Sequence, residues 1–428
     1  MGLGLVLALL SATLEGQSGV VAAPAPPVPA AVSTPCGPGW ATAWMAAPLA
    51  APRDPALDGA TLRLVVHPTL AGSRIRIRLS NAFGREPLPV GGVSVARSGH
   101  AGGADLVADT LRPVDFSGRR RIVIPAGQEV LSDPVPLHAE AGQAVVVSIH
   151  LPVGPQVLTT HPAALQTSYL AGGGDFTLTP SGRPFDRTIG SWPVLAGLDV
   201  LSPHAENALL AVGDSITDGI GTAPDTAGRI TDGLAQRLAA AGGTAPMAVL
   251  NAGIAGNQLL AGDPDLGRSA LARLDRELAA TAGVTDVLVH IGTNDIAAGR
   301  PAREITDGLR RYAERARADG KRVFLTTITP STSGAHGTPG AAAVRDEVNA
   351  WIRTSGPEHA DGLFDFAAAV ADPRAPGRLA AGFDSGDGLH LSAAGYRALA
   401  AVVEVDALTG SPCLAVDPNR SVDVVAQR

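Results

Sequence analysis

Lysine is all but missing from this chain of 428 residues: Lys321 stands alone, and arginine supplies the rest of the 33 basic residues. That usage reads as the codon bias of a GC-rich genome, not as a recognition surface. Against 40 acidic residues the formal net charge is -7, which gives no electrostatic reason to expect nucleic acid or an anionic membrane as partner. Charged residues make up 17%, below the usual quarter. Cysteine is scarce too, with 2 in the chain, and the 10 histidines are scattered without an H-E-x-x-H pair or a Cys/His cluster. A catalytic metal is therefore not expected. The glycine-rich stretches Gly172-Gly-Gly174 and Gly219-Ile-Gly221 lack a following Gly-Lys-Ser/Thr, so no cofactor is expected either. No apolar run is long enough for a membrane-spanning helix; the one at about residues 3–10 is too short.

That short run, with small residues around Ala22 and Ala23, reads as a signal peptide over residues 1–23 and predicts a secreted, extracellular protein. Its lack of a basic start fits a misassigned start codon; a cytosolic tail is the alternative. Residues 24–36, rich in Pro and Ala, are expected to be a disordered lead-in. Cys36 and Cys413, one at each end of the mature chain, suggest a single disulfide in an exported protein, against two unrelated thiols.

Gly 51 and Pro 34 imply many turns, and the chain changes character near residue 200. Before it, short runs alternate apolar with polar residues: Leu62–Val66, Arg74–Leu79, Arg121–Ile124 and Ala144–Ile149. Strands with one buried face and turns between them predict an antiparallel, jelly-roll-like β-sandwich over residues 37–200. Thr159–Asp199 is less regular and should hold the last strand and a loop-rich bridge.

After residue 200 strand and helix alternate. Leu209–Val212, Met247–Leu250, Thr285–Ile291, Arg322–Thr327 and Gly362–Phe366 read as strands. Arg229–Ala241, Arg268–Thr281, Pro301–Asp319, Ala341–Arg353 and Ala393–Leu408 read as helices. Five such units predict an α/β fold over residues 201–412, a three-layer doubly wound parallel sheet, with residues 413–428 as a tail. Ligands of these sheets bind beyond the C-terminal ends of the strands.

Polar clusters fall where that rule puts a site. Ser215 follows the first strand, Asn251-Ala-Gly-Ile-Ala-Gly-Asn257 the second and Gly292-Thr-Asn-Asp295 the third. Asp387-Gly-Leu-His390 lies between the last strand and the last helix. Ser215 is a candidate nucleophile, His390 its base and Asp387 the acid that orients the imidazole, with Gly388 allowing the sharp turn between them. Asn294 can offer a side-chain amide N–H to an oxyanion, and the backbone N–H groups of Ser215 and Gly256 are the other plausible donors. Each residue has a plainer reading taken singly: a turn or N-cap serine, an Asx-turn, a surface turn before a helix capped by Ser392. Four clusters in a workable chemical order favour the acyl-transfer reading. Asp214, Asp218 and Asp295 are expected to brace loops, Asn251 and Asn257 to bridge them, and Thr217 to buttress the nucleophile loop.

These blocks resemble those of the SGNH hydrolases, also called GDSL-type esterases and lipases. Gly213-Asp-Ser-Ile216 is similar to the first block, Asn251–Gly256 to the second, Gly292–Asp295 to the third and Asp387–Ser392 to the last. The resemblance covers about Asn207 to Thr409 and implies a flavodoxin-like hydrolase fold with Ser215, Gly256, Asn294, Asp387 and His390 in its functional positions. Isoleucine stands where the name-giving motif has leucine. The leading part, through Gly39-Trp40, Trp44, Leu62–His67 and Arg76–Gly84, is loosely similar to the N-terminal β-domain of some secreted actinobacterial members.

The expected activity is hydrolysis of carboxylic esters through an acyl-enzyme, by a monomer acting on a small-molecule, carbohydrate or lipid ester. A carbohydrate O-acetylesterase and a lipase-like enzyme are substrate variants. A carbohydrate-binding or cell-surface attachment protein with an inert α/β domain is the alternative, in which Trp40 and Trp44 stack on sugar; buried tryptophans are the simpler reading. His290 is expected as a packed strand histidine. His161 with Gln166 and Tyr169, and His336 on the Ser331–Gly340 loop, are candidates for lining the substrate rim.

Overall fold

The computed structural model describes residues 37–99, 103–204, 207–241, 246–408 and 411. The expected signal peptide, lead-in, C-terminal tail and both cysteines lie outside these residues.

The first half forms antiparallel sheets, as expected, but its main strands are buried along nearly their whole length and not on one face only; every residue of Ala60–Val66 is buried. A four-stranded sheet runs in the order Gly39–Met45, Leu195–Ser202, Ile75–Ser80, Glu129–Leu131. A six-stranded sheet runs Arg187–Ile189, Ser168–Ala171, Ala60–Val66, Val145–Leu151, Gly92–Arg97, Arg112–Pro113. Leu62, Leu64 and Val66 face one core with Ile75, Ile77, Leu79, Val145 and Val147, whereas Val65 and Val146 face a second, smaller one with Tyr169 and Phe185. The six-stranded sheet is thus covered on both sides. The stretch expected to be irregular holds several strands split among three sheets, most of them short, and leads into the eight-residue Leu195–Ser202.

The second half is a parallel sheet of β1 (Ala208–Gly213), β2 (Ala248–Gly253), β3 (Val284–His290), β4 (Arg322–Thr326) and β5 (Gly362–Phe364), in the order β2-β1-β3-β4-β5. Leu210 and Val212 share a core with Leu274, Ile305, Leu309 and Val348 of three helices on one face. Leu209 and Ala211 share another with Leu234, Tyr396 and Leu399 of two helices opposite. That is the three-layer arrangement read from the sequence. Several boundaries differ: the last helix ends at Val402 and not Leu408, β2 continues to Gly253, and β5 ends at Phe364, because Asp365 accepts the Ala368 N–H and caps a short helix, Phe366–Val370. A two-stranded ribbon, Ala371–Asp372 with Ala375–Leu379, then leads toward Asp387.

The two halves share one apolar core, in which Trp44, Leu49 and Leu198 join Ala252, Ile254 and Val287. Strand β2 would otherwise be a bare edge, and bare edges invite wrong pairing. Here Ala46 pairs with Asn251 as an isolated parallel bridge, and Val249 N donates to Thr69 Oγ1 at 3.0 Å. Thr42 accepts from Ala282 N at 3.0 Å. Trp192 closes the seam: its ring meets Trp44 edge-on at 4.9 Å and its Nε1 donates to Val65 O at 3.0 Å. Replacing Trp192 by alanine should cost about 3–5 kcal/mol of stability, read as a lowered denaturation midpoint in urea.

Candidate active site

Helix Ser215–Asp218 begins where β1 ends. Asp214 caps it by accepting Ile216 N at 3.0 Å, and Gly219 closes it in a left-handed conformation at φ 103°. Ser215, at the first helical position, keeps its N–H outside the intrahelical pattern. Its side chain is close to buried, the residue being 6% exposed. His390 Nε2 lies 2.9 Å from Ser215 Oγ, and His390 Nδ1 lies 2.6 Å from Asp387 Oδ2. The other Asp387 oxygen accepts the N–H groups of His390 at 2.8 Å and Leu389 at 2.9 Å. Partial burial alone would raise the Asp387 pKa, but these hydrogen bonds and the nearby imidazole hold it at about 2. Gly388 makes the turn at φ +74°, and a Cβ there would sit 2.5 Å from Thr332 Oγ1.

The second loop brings Gly256 to the same edge at φ +77°, where a Cβ would meet Leu266 at 2.8 Å. Asn294, in the helix Thr293–Ala297 after β3, donates from Nδ2 to Asn257 O at 2.9 Å. Its Oδ1 lies 3.2 Å from His336 Nε2. Burial, with His390 nearby, lowers the His336 pKa, so its ring is neutral and Nε2–H donates to the amide oxygen. His336, weighed as a rim residue, therefore sits against Asn294 and sets which way that amide points.

The expected braces are present. Asp295 accepts Leu259 N at 2.7 Å and Leu260 N at 3.0 Å. Asn251 donates to Thr217 O at 2.8 Å and Thr231 Oγ1 at 3.1 Å; Asn257 donates to Leu266 O and Arg268 O. Thr217 takes part through its carbonyl. His290 is a packed strand histidine: it is buried against Phe366, bonded to Thr326 Oγ1 at 2.7 Å, and pushed down to about 4 by burial. His161 is not at a rim. It is buried and bonded to Asp218 Oδ1 at 3.0 Å. Gln166 bonds Asp225 instead, at 2.6 Å. Trp44 is buried, and Trp40 lies under the Arg76 guanidinium, 4.0 Å from the ring centroid, so one face is already taken.

One brace has no counterpart in the sequence reading. Arg273, on the helix Ala270–Ala280, pairs with Glu277, donates to Gly213 O at 3.1 Å and approaches Asn257 Oδ1 at 3.3 Å. It ties the residue before Asp214-Ser215 to the residue after Gly256. The i,i+4 spacing of Arg273 and Glu277 is visible in the sequence, but such pairs are ordinarily on a solvated face; here the side chains are 1% and 3% exposed.

Serine, imidazole and carboxylate in hydrogen-bonded series at the C-terminal edge of a doubly wound sheet is an arrangement suited to acyl transfer. Residues 211–398 match the model of the GDSL-like Lipase/Acylhydrolase family. The chain carries a GDSL/SGNH-type esterase/lipase domain behind a β-rich N-terminal region. No curated protein matches it. Among solved structures it is similar to a carbohydrate acetylesterase family member from Sinorhizobium meliloti, at 20% identity over 47% of this chain and 96% of the other, TM-score 0.39. Est24, a carbohydrate acetylesterase from the same organism, matches at 19% identity over 47% and 100%, TM-score 0.38. A GDSL-like lipase from Bacteroides thetaiotaomicron matches at 17% over 47% and 88%, TM-score 0.36. Among the described residues no helix is long and apolar enough to cross a membrane, and no three His, Cys, Asp or Glu side chains are grouped to hold a metal ion.

Removing Glu277 strands the Arg273 charge in the core. Glu277→Ala should destabilise the protein by about 3–5 kcal/mol, whereas a buried pair replaced together by Met and Leu costs far less. Chemical denaturation of the single and double variants measures the difference.

Proposed function

We propose that the protein is a serine hydrolase of carboxylic esters, exported by its N-terminal apolar segment, with residues 201–412 as the catalytic unit. The observation that carries this is the unbroken Ser215–His390–Asp387 series, with both His390 nitrogens engaged at 2.9 and 2.6 Å. Ser215 Oγ attacks the ester carbonyl carbon while its proton passes to His390 Nε2. Asp387 holds the Nδ1–H tautomer and stabilises the imidazolium without taking the proton. The oxyanion is met by the N–H groups of Ser215 and Gly256 and by the second Nδ2 hydrogen of Asn294, the first being used on Asn257 O. Collapse expels the alcohol, which leaves with the proton from His390. Water then gives a proton to His390 and attacks the acyl carbon, releasing the acid and restoring Ser215.

What favours hydrolysis over an inert α/β domain is that the serine, the imidazole and the carboxylate each have a partner within hydrogen-bond reach. The sugar-stacking alternative is weakened because Trp44 is buried and Trp40 is covered by Arg76 on one face.

A panel of p-nitrophenyl esters of rising chain length, run on wild type and Ser215→Ala, tests the reading: equal turnover by the two would sink it. Asn294→Ala should lower kcat about 10²- to 10³-fold with little change in KM, since the oxyanion exists only after attack. The chain-length profile separates acetyl from longer-acyl preference.

A further inference from the structure

The antiparallel half sends one titratable side chain into the base of this site. His161 ends the strand Val157–His161, and its imidazole is 4% exposed. Nδ1 lies 2.9 Å from Ala47 O and Nε2 lies 3.0 Å from Asp218 Oδ1. A carbonyl oxygen and a carboxylate can only accept, so both ring nitrogens must donate. With Asp218 ionised, that pairing is the one an imidazolium makes.

The groups around it agree with that charge. Burial alone would lower its pKa; the Asp218 charge and hydrogen bond, with the Ala47 carbonyl, outweigh burial and the opposing Arg229, and the net shift is upward. Trp192 packs beside the ring at 5.6 Å between centroids. The adjoining cleft is lined by His67, Arg229 and Asp232. Arg229 lies 3.8 Å from Asp232, and burial lowers His67 so that it stays neutral.

Asp218 is the other end of the nucleophile helix. Its N–H donates to Asp214 O at 2.9 Å, and its Oδ2 accepts Ala255 N at 3.2 Å, one residue before Gly256. One carboxylate therefore joins three parts: the antiparallel half, the Ser215 helix and the Gly256 loop.

We propose that His161, as an imidazolium, is a positioning residue for acyl transfer: it holds Asp218 in the rotamer that sets the Ser215 helix against the Ala255–Gly256 backbone. The β-rich half thus shapes the oxyanion site without touching substrate. This rests on the serine-hydrolase reading above.

When His161 loses its proton, one nitrogen turns a lone pair toward an acceptor and the brace becomes repulsive. A raised folded-state pKa means that its stabilisation is complete below the ordinary imidazole value of 6.5 and is lost as pH rises through the raised value. Activity should therefore carry a descending alkaline limb in kcat, with KM nearly constant.

The test uses the full chain and p-nitrophenyl acetate, comparing wild type, His161→Gln, Ser215→Ala and Thr42→Val across pH. Thr42 also links the halves, through Ala282 N, but touches neither Asp218 nor the site. His161→Gln should lower kcat about 10- to 100-fold, as small misplacements of reacting groups do, with KM within about threefold and the alkaline limb gone. A kcat no lower than that of Thr42→Val at an equal loss of Tm would make the role merely structural and overturn the proposal. Turnover surviving in Ser215→Ala would instead overturn the hydrolase reading itself. Should His161→Gln not fold, ¹⁵N-histidine-labelled wild type gives a second measurement. A buried ring with two slowly exchanging N–H groups at neutral pH supports the imidazolium, and the absence of any such ring overturns it.

Discussion

The backbone N–H groups of the loop after β2 need acceptors, and two buried carboxylates from neighbouring loops supply them. Ala255 N goes to Asp218, at the end of the Ser215 helix; Leu259 N and Leu260 N go to Asp295, beside Asn294. A buried N–H left unpaired costs about 1–3 kcal/mol, so the loop has little freedom to drift. Gly256 is pinned between the serine and the asparagine by the same bonds that satisfy its neighbours. Arg273 adds a third tie from below, through Gly213 O and Asn257. The relative positions of the three candidate oxyanion donors are thus consequences of backbone accounting.

Buried charge is the cost of this arrangement. Arg273 faces Glu277 and His161 faces Asp218, so two of the buried carboxylates have a basic partner in place. Asp214 has no cation paired with it among the described residues. Burial pushes its pKa up to about 7; the Ile216 N–H offsets this in part, while Asp295 and Asp218 add repulsion. Its Oδ2 is buried without a hydrogen-bond partner among the described residues. A proton on that oxygen relieves both the desolvation and the repulsion, which a fixed carboxylate could not do. Asp295 is also raised by burial, with the Leu259 and Leu260 N–H groups pulling it back. Carboxylates that cap backbone at a water-poor sheet edge share one limited supply of positive charge.

Much of this was legible in the sequence, because hydrophobic period and turn chemistry are local. The alternation in Arg74–Leu79 and most of the strand–helix succession after Leu209 correspond to elements within a residue or two; the last helix instead stops at Val402 and not Leu408, and β2 runs on to Gly253 and not Leu250. The polar blocks fall at strand ends, as the topology requires. The illegible part is nonlocal. Nothing in the surroundings of His161 says that its two nitrogens meet Ala47 and Asp218, residues 114 and 57 positions away. Arg273 and Glu277 look like a solvated helical pair until the fold turns that face inward. Phe366 read as strand because it continues an apolar run; Asp365, as an N-cap, overrides that run.

The β-rich half is therefore more than an attachment to a hydrolase sheet. A doubly wound sheet in the order β2-β1-β3-β4-β5 leaves β2 at an edge, and β2 carries the Gly256 loop. An edge strand is the part of a sheet most free to fray, since half its backbone groups lack a neighbour. Ala46 and Thr69 supply substitutes along β2, and the shared apolar core makes their removal costly. His161 then reaches past this edge to the Ser215–Asp218 helix itself. The seam couples the stability of one half to the geometry of the other.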